Sequence, residues 1–309
     1  MGKILSSVMM LFIFLLAGCS NERDLDFITI KSEDVSEMSQ EDIQIRDNHE
    51  DIVNIAFASV VSPKETKSKY ELLVDYIEEE LERPVNVIRK QTYDEVNQLL
   101  KNGEVDIGFI CSLSYVLGRE EGFLEGVATP VVNGEDMYRS YLIVNKNSDL
   151  YELEDLQGTR FAYMDPYSYS GRLAMLDLIE QKGFNRETFF KETFYTYSHD
   201  YSVNAVAKGA VDAASVDSIL FDLLIENDND YANEIRIIDK GSYAGAPPVV
   251  VSSQIDPELK GQFINIMLTL HENPEGKDIL DQVQIDSYTG LKPSHYDPIA
   301  DIVEKIGDF

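Results

Sequence analysis

Short apolar runs alternate with amphipathic stretches through the part of the chain that begins near residue 52. Residues 52–57 and 105–111 are nearly continuous apolar runs of strand length, as expected for strands buried on both faces of a sheet. Between them, Tyr70, Leu73 and Ile77 recur at helical spacing among acidic residues, which predicts an amphipathic helix. The alternation continues to the C-terminus and predicts an α/β fold whose sheets are mostly parallel and flanked by helices.

One short pattern occurs twice. The sequence Gly-x-Val-Asp stands at 103–106 and again at 209–212, each time after a helical pattern and at the start of a strand. The first of these helices opens on a capping box of Thr92 and Glu95. Two copies of one unit indicate two similar lobes, although two loops of a common type would also match, since glycine is expected after any helix.

The chain is predicted to cross between the two lobes twice. The strand-like residues 142–147 and the Gly/Pro-rich residues 242–248 are the candidate crossings, which would act as hinges. They divide the chain into one lobe of residues 52–141 plus 249–309 and a second lobe of residues 148–241. Two α/β lobes joined in this way leave a cleft, which is the usual place for a small-molecule site.

The N-terminus has the pattern of an export signal. Lys3 precedes a nine-residue apolar run that is too short to span a bilayer, and the small residues of Leu-Ala-Gly-Cys close it. This tetrapeptide resembles the lipobox of bacterial lipoproteins, which implies a signal peptide of residues 1–18 and lipidation of Cys19. An ordinary signal peptide or a buried apolar segment is the alternative. The other cysteine, Cys111, is expected to be a buried unpaired thiol.

Charge narrows the classes of partner. The chain has 26 basic and 56 acidic residues, a net charge of −30, which excludes non-specific binding to nucleic acid or to anionic lipid through a basic face. The N-terminal residues 19–51 contain eleven of the acids and little to bury, so they predict an acidic, flexible tether, although a functional acidic tail has the same composition. The folded part keeps a charge of about −23, which opposes long-range capture of an anion.

Residues 165–171, Asp-Pro-Tyr-Ser-Tyr-Ser-Gly, carry the clearest candidate chemistry. They lie between a predicted strand and a predicted helix. The hydroxyls of Ser168 and Ser170 and the backbone N–H groups at a helix N-terminus can receive an anion, which the helix dipole favours. Simple N-capping by either serine is the alternative.

His199 and Asp217 each follow a predicted strand at its C-terminal end, where open α/β sheets bind ligands. A histidine there can donate to an oxyanion, and both positions are also typical of a helix cap. Ser198, His199 and Asp200 are consecutive and cannot form a hydrolase triad, and the chain has no Gly-x-Ser-x-Gly elbow. Scattered histidines and the absence of a P-loop or Gly-x-Gly-x-x-Gly predict no metal and no cofactor.

These segments together resemble the phosphate-, phosphite- and phosphonate-binding proteins of bacterial ABC importers. The resemblance extends from about residue 52 to 280. It rests on motifs in the same order, namely Val-Asp-Ile before Ser-Leu-Ser at 112–114, Tyr-Leu-Ile-Val-Asn-Lys at 141–146, Leu-x-Asp-Leu-x-Gly at 153–158, the serine-rich segment, His199-Asp200, the second Val-Asp, and Gly-x-Pro-x-Val-Val at 245–250.

The resemblance implies a type II periplasmic-binding-protein fold whose two lobes close on the ligand. It also implies ligand contacts from the serine-rich segment, the histidine and the acid, at Ser168, Tyr169, Ser170, Gly171, His199 and Asp217. Two positions depart from the family pattern. Tyr169 stands where a threonine is usual, and Ile110 stands where an aromatic residue is common. A reshaped pocket leaves room for an organic or zwitterionic ligand.

The sequence therefore predicts a solute-binding protein of an ABC importer, exported and anchored by lipid to the outer face of the cytoplasmic membrane or periplasmic. It would be a monomer without cofactor or enzymatic activity, and it would capture a phosphonate, phosphite or phosphate-like oxyanion and deliver it to permease subunits. Two alternatives stay open. The same fold could bind a different small organic or zwitterionic nutrient, or the protein could be a ligand-sensing lipoprotein that signals to a membrane partner.

Overall fold

The computed structural model describes residues 52–58 and 63–307. The predicted signal peptide at 1–18, Cys19 and the tether at 19–51 lie outside the described residues. In chain order the strands are β1 (Val53–Ala58), β2 (Val85–Lys90), β3 (Ile107–Phe109), β4 (Leu124–Val131), β5 (Met137–Tyr138), β6 (Ser140–Asn145), β7 (Arg160–Tyr163), β8 (Glu192–Tyr195), β9 (Ala213–Asp217), β10 (Ile235–Lys240), β11 (Ala244–Gly245), β12 (Val249–Ser252) and β13 (Ser287–Gly290).

The helices complete the two lobes. They are α1 (Pro63–Leu81), α2 (Tyr93–Asn102), α3 (Ser112–Glu121), α4 (Ala174–Gln181), α5 (His199–Ala207), α6 (Ser218–Glu226), α7 (Pro257–Thr269), α8 (Pro274–Val283) and α9 (Asp297–Ile306). Short 3-10 turns occur at Leu153–Leu156, Ala232–Glu234, Leu270–Glu272 and Pro293–Tyr296, and one π-helical turn occurs at Tyr169–Leu173. No helix in the described part of the chain is long and apolar enough to cross a membrane.

The first lobe is built on a six-stranded sheet in the order β13-β4-β12-β3-β1-β2. Strand β1 pairs in parallel with β2 and β3, whereas β12 is antiparallel to both of its neighbours, β3 and β4. Helices α1, α7 and α8 cover one face, where Ile55 is buried, and α2 and α3 cover the other, where Ala56 is buried. Burial on both faces explains why the central strands are continuous apolar runs.

The second lobe is built on a five-stranded sheet in the order β10-β6-β9-β7-β8. Strand β7 pairs in parallel with β8 and β9, and β6 is antiparallel to β9 and β10. Four of the six strands in the first sheet and four of the five in the second run in the same direction, as predicted for mostly parallel sheets. The pairing is nevertheless mixed, because β12 and β6 each run antiparallel to both of their neighbours.

The chain crosses between the sheets at 132–139 and at 241–248, since β4 and β12 belong to the first sheet and β6 and β10 to the second. Strands β5 and β11, one in each crossing, pair with each other. The first crossing therefore lies before the predicted 142–147. Leu142, Ile143 and Val144 are fully buried in β6, and an apolar run of this length fits a central strand better than a connection.

The last helix contacts both lobes, although the sequence assigned it to the first lobe alone. Lys305 Nζ in α9 lies 2.7 Å from Asp177 Oδ1 in α4, and Arg186 donates to the carbonyl of Ile306 at 3.1 Å. The C-terminal segment of the described chain thus bridges the two lobes and also contacts the second crossing, where the Tyr296 hydroxyl donates to the carbonyl of Ala246 at 2.8 Å.

The repeated Gly-x-Val-Asp sequence makes the same contacts in both lobes. Asp106 accepts a hydrogen bond at 2.8 Å from the backbone N–H of Asn54 in β1. Asp212 accepts one at 2.8 Å from the backbone N–H of Arg160 in β7. The glycine before each aspartate has a positive φ, +70° and +71°, which ends the preceding helix. The aspartates fix the start of a strand against its parallel neighbour in each sheet.

Candidate functional site

The serine-rich segment forms the buried turn that joins β7 to α4. The Ser168 hydroxyl accepts a hydrogen bond from the Gly171 N–H at 2.9 Å, so Ser168 caps the π-helical turn that leads into α4. Single π-turns inside helices occur frequently at functional sites. The capping role that the sequence left open therefore belongs to Ser168, and the neighbouring hydroxyl of Ser170 is free of it.

Ser170 is fully buried, and its hydroxyl makes no hydrogen bond with any residue that the structure describes. Its carbonyl is satisfied by the Ser140 hydroxyl at 2.6 Å. Buried polar side chains in proteins are hydrogen-bonded in the large majority of cases, and an unpaired one costs free energy. The Ser170 hydroxyl is therefore a buried hydrogen-bond donor of the turn without a partner among the described residues.

Tyr169 places its ring away from the turn. Its hydroxyl donates to the carbonyl of Ser242 in the second crossing at 2.7 Å, and its ring packs edge-on against Tyr138 with centroids 5.8 Å apart. Burial raises the pKa of this phenol, which stays protonated. The large residue that departs from the family pattern is thus part of the packing between the lobes and the crossings.

Three hydrogen bonds join the lobes beside the turn, one of them from Cys111 Sγ to Ser168 Oγ at 3.9 Å. The Tyr169 N–H donates to Cys111 Sγ at 3.3 Å, and the Tyr93 N–H donates to Asp165 Oδ2 at 3.3 Å. The expectation that Cys111 is a buried unpaired thiol is confirmed. Burial raises the pKa of that thiol, so it remains neutral. The two lobes are therefore in contact at the turn.

His199 begins α5 and lies against the turn. Its Nδ1 accepts a hydrogen bond from the Asp217 N–H at 3.2 Å, and its Cε1 lies 3.3 Å from where a Cβ on Gly171 would stand. Burial lowers the pKa of His199 to about 3, so the ring is neutral. A neutral imidazole that accepts at Nδ1 carries its proton on Nε2. His199 thus offers one fixed N–H donor without a charge.

Asp217 ends β9 and caps α6. Its Oδ1 accepts hydrogen bonds from the N–H groups of Ile219 at 2.7 Å and Leu220 at 3.1 Å. Burial raises the pKa of Asp217 to about 7, because desolvation disfavours the carboxylate more than the two N–H donors favour it. At neutral pH this acid exchanges readily between a donor and an acceptor form.

The structure brings all six predicted ligand residues into one buried group. Ser168, Tyr169, Ser170 and Gly171 share a turn, His199 lies against it, and Asp217 holds the ring of that histidine. Their role in binding stays a prediction.

The sequence missed four neighbours that are also buried here, namely Tyr93, Cys111, Tyr138 and Asp165. Burial also raises the pKa of Asp165, to about 6. Asp165 opens the serine-rich motif and could have been singled out for that reason. The other three come from the first lobe or a crossing, and no local pattern marks them. Within the described residues, no group of three or more histidine, cysteine or acidic side chains is arranged to hold a metal ion.

A cavity of about 110 Å³ opens between the lobes beside this group. Asp217 and Ile219 line it from the second lobe, and Ile110 and Tyr288 line it from the first. The predicted cleft is thus present, and the departure at Ile110 forms part of its wall.

Comparison with known proteins agrees with this architecture. Residues 55–296 match the family described as "ABC transporter, phosphonate, periplasmic substrate-binding protein". The phosphonates-binding periplasmic protein of Escherichia coli (strain K12) is 26% identical over 245 residues, which cover 77% of this chain and 71% of that protein.

Two solved structures share the fold. A binding protein component of an ABC phosphonate transporter from Pseudomonas aeruginosa superposes with a TM-score of 0.76 at 23% identity, covering 82% of this chain and 85% of its own. PhnD1 from Prochlorococcus marinus (MIT 9301), in complex with methylphosphonate, also gives 0.76, at 18% identity, with 84% and 99% covered. The predicted type II periplasmic-binding-protein fold is therefore confirmed.

The family match covers most of the folded part and includes the serine-rich turn, the histidine and the acid. Proteins of this family bind a substrate for transport and are not enzymes, which confirms the prediction of a non-enzymatic protein, and their periplasmic location implies export. The chain belongs to the family of periplasmic substrate-binding proteins of phosphonate ABC transporters.

Proposed function

We propose that the protein captures a small tetrahedral oxyanion, such as a phosphonate, phosphite or phosphate, between its lobes and delivers it to the permease of an ABC importer. One observation carries the proposal. The fully buried Ser170 hydroxyl has no partner among the described residues, and it belongs to the turn against which the neutral imidazole of His199 lies. A hydroxyl and an uncharged imidazole N–H are donors of the kind that an oxyanion requires.

The charge of the protein makes neutral donors important. The folded part carries about −23, so its field does not draw an anion towards the cleft. Affinity must come from short hydrogen bonds in a site with little water, where each is stronger than in bulk solvent. The raised pKa of Asp217 supports this, since the protonated acid can donate to a ligand oxygen and does not repel it.

Isothermal titration at pH 7 with phosphate, phosphite, methylphosphonate and aminoethylphosphonate tests the proposal. A ligand present at 100 times its Kd should raise the unfolding free energy by about 2.7 kcal/mol, which a thermal shift would also report. The relative from Prochlorococcus marinus was solved with methylphosphonate, so this ligand is the first to try. If none of the four ligands at millimolar concentration gave heat or a thermal shift, the oxyanion site would be rejected.

A zwitterionic organic ligand is the second candidate. It is favoured by the two buried carboxyl groups, Asp165 and Asp217, whose pKa values burial raises to about 6 and about 7. An ammonium group beside either acid would restore its ionised form. Tighter binding of aminoethylphosphonate than of methylphosphonate, lost in Asp217→Asn, would support this candidate, and equal binding of the two ligands would exclude it.

We also propose that lipid at Cys19 tethers the mature protein, as a monomer, to the outer face of the cytoplasmic membrane. The lipobox-like Leu-Ala-Gly-Cys sequence supports this. Expressed in a bacterial host, the full chain should fractionate with membranes, and Cys19→Ser should abolish incorporation of labelled fatty acid. Light scattering of the detergent-free mature domain should give the mass of one chain. Unchanged labelling of the variant would contradict the anchor.

A further inference from the structure

Two buried serines of the second sheet donate hydrogen bonds to the serine-rich turn. The Ser140 hydroxyl in β6 donates to the carbonyl of Ser170 at 2.6 Å, and the Ser215 hydroxyl in β9 donates to the carbonyl of Gly171 at 2.8 Å. The Gly171 carbonyl also accepts the N–H of Met164, which follows β7, at 3.0 Å. Because β6, β9 and β7 are neighbours in the sheet, donors from three adjacent strands or their ends fix two consecutive peptide groups of the turn.

The π-helical form of the turn creates the need for the first of these donors. In an α-helix the Ala174 N–H would donate to the carbonyl of Ser170, four residues earlier. Here that N–H is shared between the carbonyls of Tyr169 and Arg172 instead. The Ser170 carbonyl therefore lacks its α-helical donor, and the Ser140 hydroxyl supplies one from the sheet. Because a buried carbonyl without a donor costs free energy, this hydroxyl stabilises the π-turn.

The sheet holds both serines in a fixed orientation. Ser140 pairs with Asp217 across β6 and β9, and Ser215 lies two residues before Asp217, so the three side chains point to the same face of the sheet. The carbonyl of Ser140 accepts the N–H of Gly241 at 2.9 Å, which ties its backbone to the second crossing. Because both serines are almost fully buried, water cannot replace their hydroxyls as donors to the turn.

The orientation of the turn determines where the Ser170 side chain lies. A serine hydroxyl in a helix commonly donates back to a carbonyl of the preceding turn, whereas the Ser170 hydroxyl makes no hydrogen bond with any described residue. The two peptide groups that follow Ser170 are both held by the sheet, so the backbone that carries this hydroxyl keeps one orientation. A donor that is fixed before the ligand arrives loses less entropy on binding.

We propose that Ser140 and Ser215 are positioning residues of the oxyanion site, which hold the π-turn so that the Ser170 hydroxyl stays available to the ligand. This inference rests on the proposed function, because the Ser170 hydroxyl must bind the ligand. Each of the two serines donates its one hydroxyl proton to the turn, so neither can donate to the ligand itself. Their effect on affinity therefore passes through Ser170.

Calorimetric titration of Ser140→Ala and Ser215→Ala tests the inference. The probe is whichever of phosphate, phosphite, methylphosphonate and aminoethylphosphonate binds the wild type most tightly. Loss of one hydrogen bond to the turn should raise Kd by about two- to tenfold in each variant. Ser215→Ala leaves the Met164 N–H on the Gly171 carbonyl, so this variant should keep its fold even if Ser140→Ala proves unstable.

A serine of the first lobe provides the matched control. The buried Ser252 hydroxyl in β12 donates to the carbonyl of Leu100 at 3.1 Å, the same kind of contact as that of Ser140. Ser252→Ala should therefore keep the wild-type Kd. In the ligand-free protein, amide hydrogen exchange at residues 169–174 should be faster than in wild type in Ser140→Ala and Ser215→Ala and unchanged in Ser252→Ala. Unchanged exchange in both turn variants would overturn the inference.

A double variant separates positioning from general destabilisation. In the Ser170→Ala background, Ser140→Ala should leave Kd unchanged, because the donor that Ser140 positions is absent. An equal rise of Kd in both backgrounds, or a wild-type Kd in both single variants, Ser140→Ala and Ser215→Ala, would overturn the inference and leave the proposed function standing. If the wild type bound none of the four probes, the proposed function and this inference would both be overturned.

Discussion

Replacing Ser170 with alanine should separate stability from binding. The Ser170 hydroxyl is fully buried and has no partner among the described residues, and an unpaired buried hydroxyl costs about 1–3 kcal/mol. We therefore expect Ser170→Ala to raise the unfolding free energy of the ligand-free protein by about 1 kcal/mol. In a protein of this size that corresponds to a rise in Tm of roughly 2–4 °C.

The same change should weaken ligand binding. A hydrogen bond to a charged group contributes about 1.5–3 kcal/mol, so Kd should increase by about 10- to 150-fold. Ser168→Ala should act in the opposite direction on stability, because the Ser168 hydroxyl accepts the Gly171 N–H at 2.9 Å. Loss of such a cap costs about 1 kcal/mol.

Ser148 offers a matched control. Its hydroxyl is also buried without a partner among the described residues. Ser148 lies beyond the C-terminal end of β6, however, whereas Asp217 pairs with Ser140 at the N-terminal end of that strand. Ser148→Ala should therefore stabilise the protein and leave Kd unchanged. Urea denaturation followed by circular dichroism gives the stabilities, and calorimetric titration gives Kd. If Ser170→Ala destabilised the protein and bound ligand normally, the reasoning would be refuted.

Three further predictions concern the same site. The pKa of His199 is about 3 in the folded protein against 6.5 for a free side chain, so this group makes the unfolding free energy rise with pH between 3 and 6.5. The pKa of Asp217 is about 7 in the folded protein against 3.8 for a free side chain, so this group makes the unfolding free energy fall with rising pH between 4 and 7. Asp217→Asn removes the second contribution, so the unfolding free energy of the variant minus that of the wild type should increase by up to about 1.4 kcal/mol per pH unit between pH 4 and 6.5. If urea denaturation gave the same pH dependence of the unfolding free energy for both proteins, the prediction would be contradicted. Gly171→Ala puts a Cβ into neighbouring side chains and should cost about 1–3 kcal/mol in chemical denaturation, while Gly261→Ala, where the Cβ meets open space in α7, should gain about 1 kcal/mol. Tyr169→Phe should cost about 1 kcal/mol through its lost hydroxyl bond and leave Kd unchanged; a tenfold weaker Kd would mean that the phenol reaches the ligand.

Local signals in the sequence predicted much of the first lobe correctly. The capping box of Thr92 and Glu95 is present at the start of α2, and Gly103 ends that helix in the left-handed conformation. The repeated Val-Asp makes equivalent contacts in both sheets. The capping features depend on residues within a turn or two of each other, so their physical cause is visible in the sequence itself, whereas the Val-Asp repeat showed in the sequence only as a recurring pattern.

The sequence singled out the residues that the structure brings together at the turn, but it did not give their chemical state. The sequence singled out Ser168 and Ser170 together, and the structure gave the cap to the first and left the second unpaired. It singled out His199 as a donor. Only the structure shows that burial keeps the ring neutral and that the hydrogen bond from the Asp217 N–H to Nδ1 leaves the proton on Nε2. Cys111 was assigned to the core because it lies in the apolar run 105–111, and nothing in that run indicates its contact with the turn of the other lobe.

The sequence by itself determined the α/β alternation, the helix ends, the family and the residues of the serine-rich turn, because each depends on the order and spacing of nearby side chains. The tertiary structure decided where the chain crosses between the lobes, since the apolar run Leu142–Val144 indicates a strand but not the sheet to which that strand belongs. It also determined the shifted pKa of Asp217, the lack of a hydrogen-bond partner for the Ser170 hydroxyl among the described residues, and the position of Ile110 in the wall of the interlobe cavity. These properties arise from desolvation and from contacts between residues far apart in the chain, which no local pattern records.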